Sequence, residues 1–221
     1  MTPRRFARLK AVLAARQPDL TVLMDNVNKT HNFSAILRSC DAVGVAEAHA
    51  VWPDLRLRPH HMTSGGAGKW VTVHTHRDVG QAIEHLRERD FRVVAAHVGA
   101  QAVDFRELDL TRPTALVLGA ELQGVSEAAR ARATLSTFIP MQGMVKSLNV
   151  SVAAATLLFE AQRQRLAAGM YSRSRMDSAT SERLLFRWAH PRIAEYCDRN
   201  RLRYPRLDED GELAEPLPRP R

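Results

Sequence analysis

The sequence predicts an α/β fold built on a mainly parallel sheet. Short apolar runs rich in β-branched residues recur along the chain, a segment of helical periodicity follows most of them, and turn residues mark the exchanges. Phe6, Leu9, Val12 and Leu13 recur at helical spacing, so residues 3–16 read as a short amphipathic helix ended by Gln17-Pro18. "LTVLMDNV" is a buried strand. In "HNFSAILRSCDAVG", Ile36, Leu37, Cys40 and Val43 share one helical face, Asn32 stands at a cap position, and Gly44 stands where the helix should stop. "AEAHAVW" is a second strand, residues 53–68 are loop-like and rich in Arg, His and Gly, and "WVTVHTH" alternates like a strand. A helix over "DVGQAIEHLRERD" separates it from the buried strand "FRVVAAHV", and "TALVLG" repeats that pattern. "AELQGVSEAARARA" reads as loop and helix, "TLSTFIPM" as a strand, and a long amphipathic helix from Asn149 to about Ala168 closes the core.

Beyond Gly169, "MYSRSRMDSATSE" is linker-like, two short helical patterns follow, and the Pro-rich polar tail is expected to be disordered or draped. The expected division is a basic N-terminal helix over 1–18, an α/β domain over 19–168, and a helical extension with its tail over 169–221.

Composition bounds the function. A chain of 221 residues, 45% hydrophobic and 25% charged, is long enough to bury a core. No run approaches the roughly 18 apolar residues of a membrane span. "MTPRRFARLK" has no apolar segment behind it, so no secretory signal is expected. Cys40 and Cys197 lie far apart, which suggests neither a disulfide framework nor a zinc site and makes the cytoplasm the expected compartment. A net charge of +8 and a pI near 10.3 point to a polyanionic partner, nucleic acid first. Residues 1–19 hold five Lys or Arg against one Asp, whereas the segment from Glu160 onward, with thirteen Arg and ten acids, is charge-dense rather than simply basic.

Three clusters carry candidate chemistry. Asn32 is either a helix cap or a ligand group, and Arg38, on the border of the apolar face, either snorkels to a carboxylate or serves a site. "VLGAELQGVS" runs a buried strand into Gly119, Glu121 and Gly124, which is either an ordinary turn with a solvated Glu or the ligand-bearing end of an α/β strand. "FIPMQGMVKSLNVS" again leads a strand through a glycine-bearing loop to a helix start. One of Ser147 and Asn149 suffices as a cap, and the two together exceed what a cap requires.

Other apparent motifs fail. "SGGAGKW" lacks phosphate-loop spacing and a preceding strand, and no GxGxxG, GxSxG or HExxH occurs. His60-His61 and the pair His74/His76 lack convergent Cys or carboxylate partners, so no metal is expected.

Taken in order and at their separations, "HNFSAILRSCDAVG", "ALVLGAELQGVS" and "FIPMQGMVKSLNVSVAAATLLFE" resemble the three signature motifs of the SpoU group of RNA 2′-O-ribose methyltransferases. "RRFARLKAVLAARQPDLTVLMDNV", "VDFRELDLTRPT" and "EAQRQRLAAGMY" extend the resemblance to its tRNA (guanosine-18-2′-O)-methyltransferase subfamily, over nearly the whole chain. The resemblance implies a SPOUT α/β knot, with a deep trefoil knot near the C-terminal part of the sheet domain. It also implies S-adenosylmethionine as cofactor, tRNA as partner, and a homodimer with active sites at the subunit interface. It marks Asn32, Arg38, Glu121, Ser147 and Asn149 as catalytic positions, and Ala96, Gly119, Ile139, Met141 and Leu148 as cofactor-pocket positions.

On this reading Arg38 binds the ribose and adjacent phosphate and lowers the hydroxyl's pKa. Asn32 holds Arg38 or the phosphate, Glu121 and Ser147 orient these groups, and Asn149 secures the loop. Arg4, Arg5, Arg8, Lys10 and Arg16 are the expected RNA phosphate contacts, together with the arginine-rich C-terminal extension. The alternatives are a ribosomal-RNA 2′-O-methyltransferase of the same fold and a non-catalytic RNA-binding protein.

Overall fold

The computed structural model describes residues 1–52 and 67–220. In chain order these form α1 (Pro3–Ala14), β1 (Leu20–Asp25), α2 (Thr30–Ala42), β2 (Glu47–Val51), β3 (Thr72–His76), α3 (Val79–Arg87), β4 (Arg92–Ala96) and β5 (Val103–Asp104). β6 (Thr114–Gly119), α4 (Glu127–Arg132), β7 (Leu135–Phe138), α5 (Val150–Ala167), α6 (Ser178–Ala189) and α7 (Pro191–Arg199) follow. The chain divides into two compact units, one of residues 17–170 and one of residues 1–16 with 171–221.

The larger unit is a seven-stranded sheet in the order β3-β2-β1-β6-β4-β7-β5, with every pairing parallel. Its central strands are apolar on both sides because helices cover both faces. Leu20, Val22 and Met24 of β1 and Leu116 and Leu118 of β6 meet Phe33, Ile36 and Leu37 of α2 and Leu157 and Leu158 of α5. The alternate residues Leu23, Val93, Ala95, Ala115 and Val117 meet Ala82, Ile83 and Leu86 of α3 and Ala129 of α4. Helix α2 stops as expected at Gly44, whose φ of +85° closes a Schellman turn: Val45 N–H reaches the Cys40 carbonyl at 2.9 Å and Gly44 N–H the Asp41 carbonyl at 3.1 Å.

Helix α5 is apolar on more than one face. It buries Ala154, Leu157, Leu158 and Ala161 while exposing Val152, Phe159 and Leu166, so the amphipathic pattern expected of it is incomplete. Its far end is fixed by Arg165, whose wholly buried guanidinium donates to Asp19 Oδ1 at 2.6 Å, Gln17 Oε1 at 3.1 Å and the carbonyls of Leu110, Asp19 and Arg112. A buried cation this fully paired is tolerated because each donor finds an acceptor.

The smaller unit groups the N-terminal helix with the C-terminal segment. Helix α1, capped by Thr2 with Pro3 in its first turn, buries Phe6, Leu9 and Leu13 and packs on α6, where Phe186 and Trp188 are buried. The tail is part of this unit rather than draped: Leu207 bridges Leu213, and Gly211, at φ +86°, lies so close to the Phe6 ring that a Cβ would sit 2.5 Å from it. Among the described residues no helix is long and apolar enough to cross a membrane.

Candidate active site

The site forms at the carboxyl ends of β1, β6, β4 and β7, where an open parallel sheet leaves room for a ligand. β6 ends at Gly119, opposite Asp25 in register. A Cβ at Gly119 would stand 1.9 Å from the Gly124 carbonyl carbon and 2.1 Å from Val125 N, so only glycine allows the chain to double back there. Gly124, at φ +66°, closes the turn by donating to the Ala120 carbonyl at 2.8 Å, which leaves Glu121, Leu122 and Gln123 at its tip. Asp25, buried at the end of β1, holds this loop through Ser126 N–H at 2.8 Å and also accepts from Asn26 Nδ2 at 2.9 Å.

A cavity of about 170 Å³ opens beneath these loops. Ala96, Gly119, Ile139, Met141 and Leu148 all line it, together with Leu118, Val150 and Leu157, and Glu121 and Ser147 stand on its wall. His97 and Lys146 add polar groups that the sequence reading missed. Arg130 Nη1 lies 3.1 Å from His97 Nε2, and burial followed by the Arg130 charge lowers the His97 pKa. A second cavity, of about 240 Å³, shares Ala120, Glu121 and Val150 with the first and is further lined by Asn26, Val27, Asn28, Lys29, Asn32, Leu122 and Gln123.

Glu121, common to both cavities, is the centre of a polar hub drawn from three separate segments. Asn32 Nδ2 donates to Glu121 Oε1 at 2.6 Å, and Asn149 Nδ2 is shared between Glu121 Oε1 at 3.1 Å and Asn32 Oδ1 at 3.2 Å. Lys29 forms an ion pair with Glu121 Oε2. The Lys29 hydrogen bond, then that of Asn32, holds the Glu121 carboxyl below the usual range, so it is an anion at neutral pH. Asn149 also caps α5, its Oδ1 accepting from Ser151 N–H at 2.8 Å, so cap and hub roles coincide in one residue.

Three expectations change. Asn32 is not a cap: α2 starts at Thr30 after Lys29, and Asn32, the third helical residue and 2% exposed, turns inward to the hub. Arg38 is exposed on α2 and makes no hydrogen bond or ion pair among the described residues, so it stands outside the hub. Arg4, Arg5, Arg8 and Lys10 are exposed on or beside α1, but Arg16 is fully buried with its guanidinium 5.1 Å above the Trp188 ring, which removes it from any exposed basic surface. Ser147 is exposed at the cavity wall.

The histidines also differ from expectation. His60-His61 lie outside the described residues, but His74 Nε2 has a carboxylate partner after all, Glu47 Oε2 at 3.4 Å, and shares its corner of the sheet with His49, His76 and His85. Among the described residues no group of His, Cys, Asp or Glu is arranged to hold a metal. Lys29 and Asp25 escaped the sequence reading as well. The available signal for Asp25 was an acid ending an otherwise apolar strand, and for Lys29 a cation three residues before Asn32.

A parallel sheet whose strand ends carry an apolar cavity beside a polar hub is the frame of an α/β enzyme acting on a ligand at its loops. The chain belongs to the SpoU rRNA methylase family of methyltransferases, which matches residues 19–159, and the C-terminal domain of SpoU rRNA methylases matches residues 163–216. It is 49% identical over 215 residues to the tRNA (guanosine(18)-2′-O)-methyltransferase of Escherichia coli, covering 96% of this chain and 94% of that protein. The crystal structure of the TrmH/SpoU tRNA modifying enzyme of A. aeolicus superposes with a TM-score of 0.78 at 43% identity, over 85% of this chain and 96% of that one. AviRb of Streptomyces viridochromogenes, a SpoU methyltransferase solved in complex with the cofactor AdoMet, gives 0.61 at 27% identity, over 70% of this chain and 62% of that one.

Proposed function

We infer that this chain transfers a methyl group from S-adenosylmethionine to the ribose 2′-hydroxyl of guanosine 18 in tRNA. The observation that carries the reading is the meeting of Asn32 and Asn149, from distant segments, on Glu121, the carboxylate that lines both cavities. One cavity takes the cofactor and the other the acceptor nucleotide. The first suits an adenosyl group: its walls at Leu118, Ile139 and Leu148 are apolar, and the missing Cβ of Gly119 lets backbone reach its edge. Thr137, His97, Lys146 and Ser147 supply polar groups for a methionyl tail. S-adenosylmethionine, when bound, supplies an electrophilic methyl group on a sulfonium.

The protein's contribution is positioning and activation. In-line displacement gains from a fixed approach of the hydroxyl, which the hub's linked side chains provide. A ribose hydroxyl is a weak nucleophile until its proton is polarised or removed. Arg38 bonds the ribose and the adjacent phosphate and lowers the hydroxyl's pKa, since its guanidinium stays charged and offers a two-pronged donor. Because Arg38 stands outside the hub of its own chain, a homodimer in which a second copy delivers it completes the site. The exposed Val152, Phe159 and Leu166 of α5, spaced by seven residues, are an apolar stripe suited to such a contact. A trefoil knot fits the sheet order, in which β6 enters between β1 and β4 and β7 between β4 and β5.

RNA is held by the basic helical unit. Residues 1–16 and 171–221 hold sixteen Lys or Arg against nine Asp or Glu, so this unit carries +7 of the chain's +8. The test is transfer of labelled methyl to an unmodified tRNA transcript with the product position mapped, beside a transcript carrying adenosine at position 18. Label on the 2′-oxygen of guanosine 18 that disappears with Arg38→Ala and stays low with Arg38→Lys is the expected result. Full activity of Arg38→Lys would overturn the guanidinium's role, and label on a ribosomal-RNA fragment instead would change the substrate.

A further inference from the structure

The second cavity has the make-up of a nucleobase site. Val27, Ala120 and Val150 line it with apolar surface, and Leu122, at the tip of the β6–α4 loop, stands wholly exposed beside it, as a flat ring seeking contact on its faces would require. Its polar groups are side chains suited to an edge: Asn28 and Lys29 from the β1–α2 loop, and Gln123 from the β6–α4 loop. Asn28 and Gln123 make no hydrogen bond among the described residues. An amide carries both donors and acceptor and turns to suit either purine, so these two cannot by themselves separate guanine from adenine.

Lys29 can. Among the described residues it is the one cation on the wall of this cavity. An ammonium offers three donors and no acceptor. Its ion pair with Glu121 anchors the head group at the hub, yet the side chain remains 61% exposed, which leaves donors to spare. Guanine presents the O6 and N7 acceptors on the edge where adenine presents an N6 amino donor beside N7. A donor-only cation held there attracts the first and repels the second.

We propose that the second cavity receives the extruded guanine of the acceptor nucleotide and that Lys29, held by Glu121, reads its O6 edge, making Lys29 the residue that selects guanosine over adenosine. The proposal rests on the guanosine-methylating function inferred above. The geometry is coherent with that chemistry: a base in this cavity has Asn32 and Glu121 on its wall, so its ribose meets the hub that borders the cofactor cavity. Extrusion of a base into a shaped pocket is the usual means of reaching a nucleotide buried in RNA structure.

The experiment compares kcat/KM for three tRNA transcripts carrying guanosine, inosine or adenosine at position 18, with the wild type, Lys29→Gln and Lys29→Arg, and S-adenosylmethionine affinity as the check on folding. Inosine keeps O6 and N7 but lacks the 2-amino group. The wild type is expected to accept inosine within a fewfold of guanosine and to reject adenosine. Lys29→Gln, whose amide serves either purine, should contract the guanosine-to-adenosine ratio by about tenfold or more, and Lys29→Arg should preserve it. Rejection of inosine as strong as that of adenosine, or an equal loss on all three transcripts with Lys29→Gln, would overturn the proposal. No methylation of guanosine 18 by the wild type would instead sink the function on which it rests.

Discussion

On the proposed function, the two units of this chain divide its physical tasks. The sheet unit, residues 17–170, holds sixteen Lys or Arg against fifteen acids and is close to neutral, yet it contains both cavities and every residue of the hub. The helical unit carries almost all of the net charge and contributes none of the residues lining those cavities. The contrast separates shape from field. A methyl-transfer site needs fixed dipoles and close backbone approach, whereas RNA affinity comes mostly from neutralising phosphates and depends little on exact placement.

The sharpest test of this division breaks the sheet unit alone. Gly119→Ala drives a Cβ into the backbone of Gly124 and Val125, at about 2 Å, where nothing flexible can give way. Overpacking against rigid neighbours costs about 3 kcal/mol, on the order of a hundredfold in an equilibrium constant. The expected outcome is loss of S-adenosylmethionine binding by calorimetry while tRNA affinity in a filter assay persists. Gly143→Ala is the matched control, since among the described residues no atom beyond its chain neighbours lies within 4 Å of a Cβ built there, and it should bind the cofactor normally. An equally large loss at Gly143 would mean that the two glycine-bearing loops obey the same constraint, contrary to their geometry.

That pair of glycines also shows how far sequence reasoning reaches. Both follow a buried strand and precede a helix, and from the letters alone they are equivalent; only the fold sets Gly119 against Gly124 and leaves Gly143 open. Apolar runs and caps made the strands and helices legible because those signals are local. Strand order was not, because it depends on which strands enter the sheet late, as β6 and β7 do. Asn32 carried the right residue for a cap, but its helix starts two residues earlier and tertiary partners claim its amide. Arg16 looked like one more cation on a basic helix, and its burial over Trp188 depends on a segment more than 170 residues away. The meeting of Asn32, Glu121 and Asn149 was legible through family motifs, whereas Lys29 and Asp25, which complete the hub and its loop, emerged only from contacts.

The second way to sharpen the comparison strips the helical unit. Replacing Arg4, Arg5, Arg8 and Lys10 together by Ala removes four exposed cations from α1 and its immediate surroundings. Each cation that no longer neutralises a phosphate reduces the slope of log K against log salt by about one, and affinity near physiological salt should fall at least about tenfold. Cofactor affinity should be unchanged, and kcat at saturating tRNA should fall by less than about twofold. A large drop in kcat would show that the basic helix positions the acceptor as well as attracting it.

The smallest expected effect concerns acid and is confined to one corner of the sheet unit. His49 is wholly buried, with Nδ1 3.0 Å from His76 Nε2 and its ring 5.1 Å, 5.2 Å and 5.6 Å from those of His74, His76 and His85. Burial first, then the neighbouring His74 and His76, lowers its pKa to about 3. Glu47 beside it is held near 2 by the hydrogen bond from His74 and the Arg89 guanidinium. Both shifts act in the same direction. His49 stays neutral in the fold while the unfolded chain gains a proton below about pH 6.5, so stability declines from there toward pH 3. Glu47 adds stability above its unfolded pKa that is lost as pH falls through its folded value near 2. Thermal midpoints measured from pH 7.5 to 4 should therefore fall, and His49→Leu should flatten the fall below pH 6.5 even if its midpoint at neutral pH is lower. Parallel curves would shift the acid sensitivity away from this histidine corner. A flatter curve would mean that the sheet unit, nearly neutral as a whole, still holds a local electrostatic weakness where β2 and β3 meet α3.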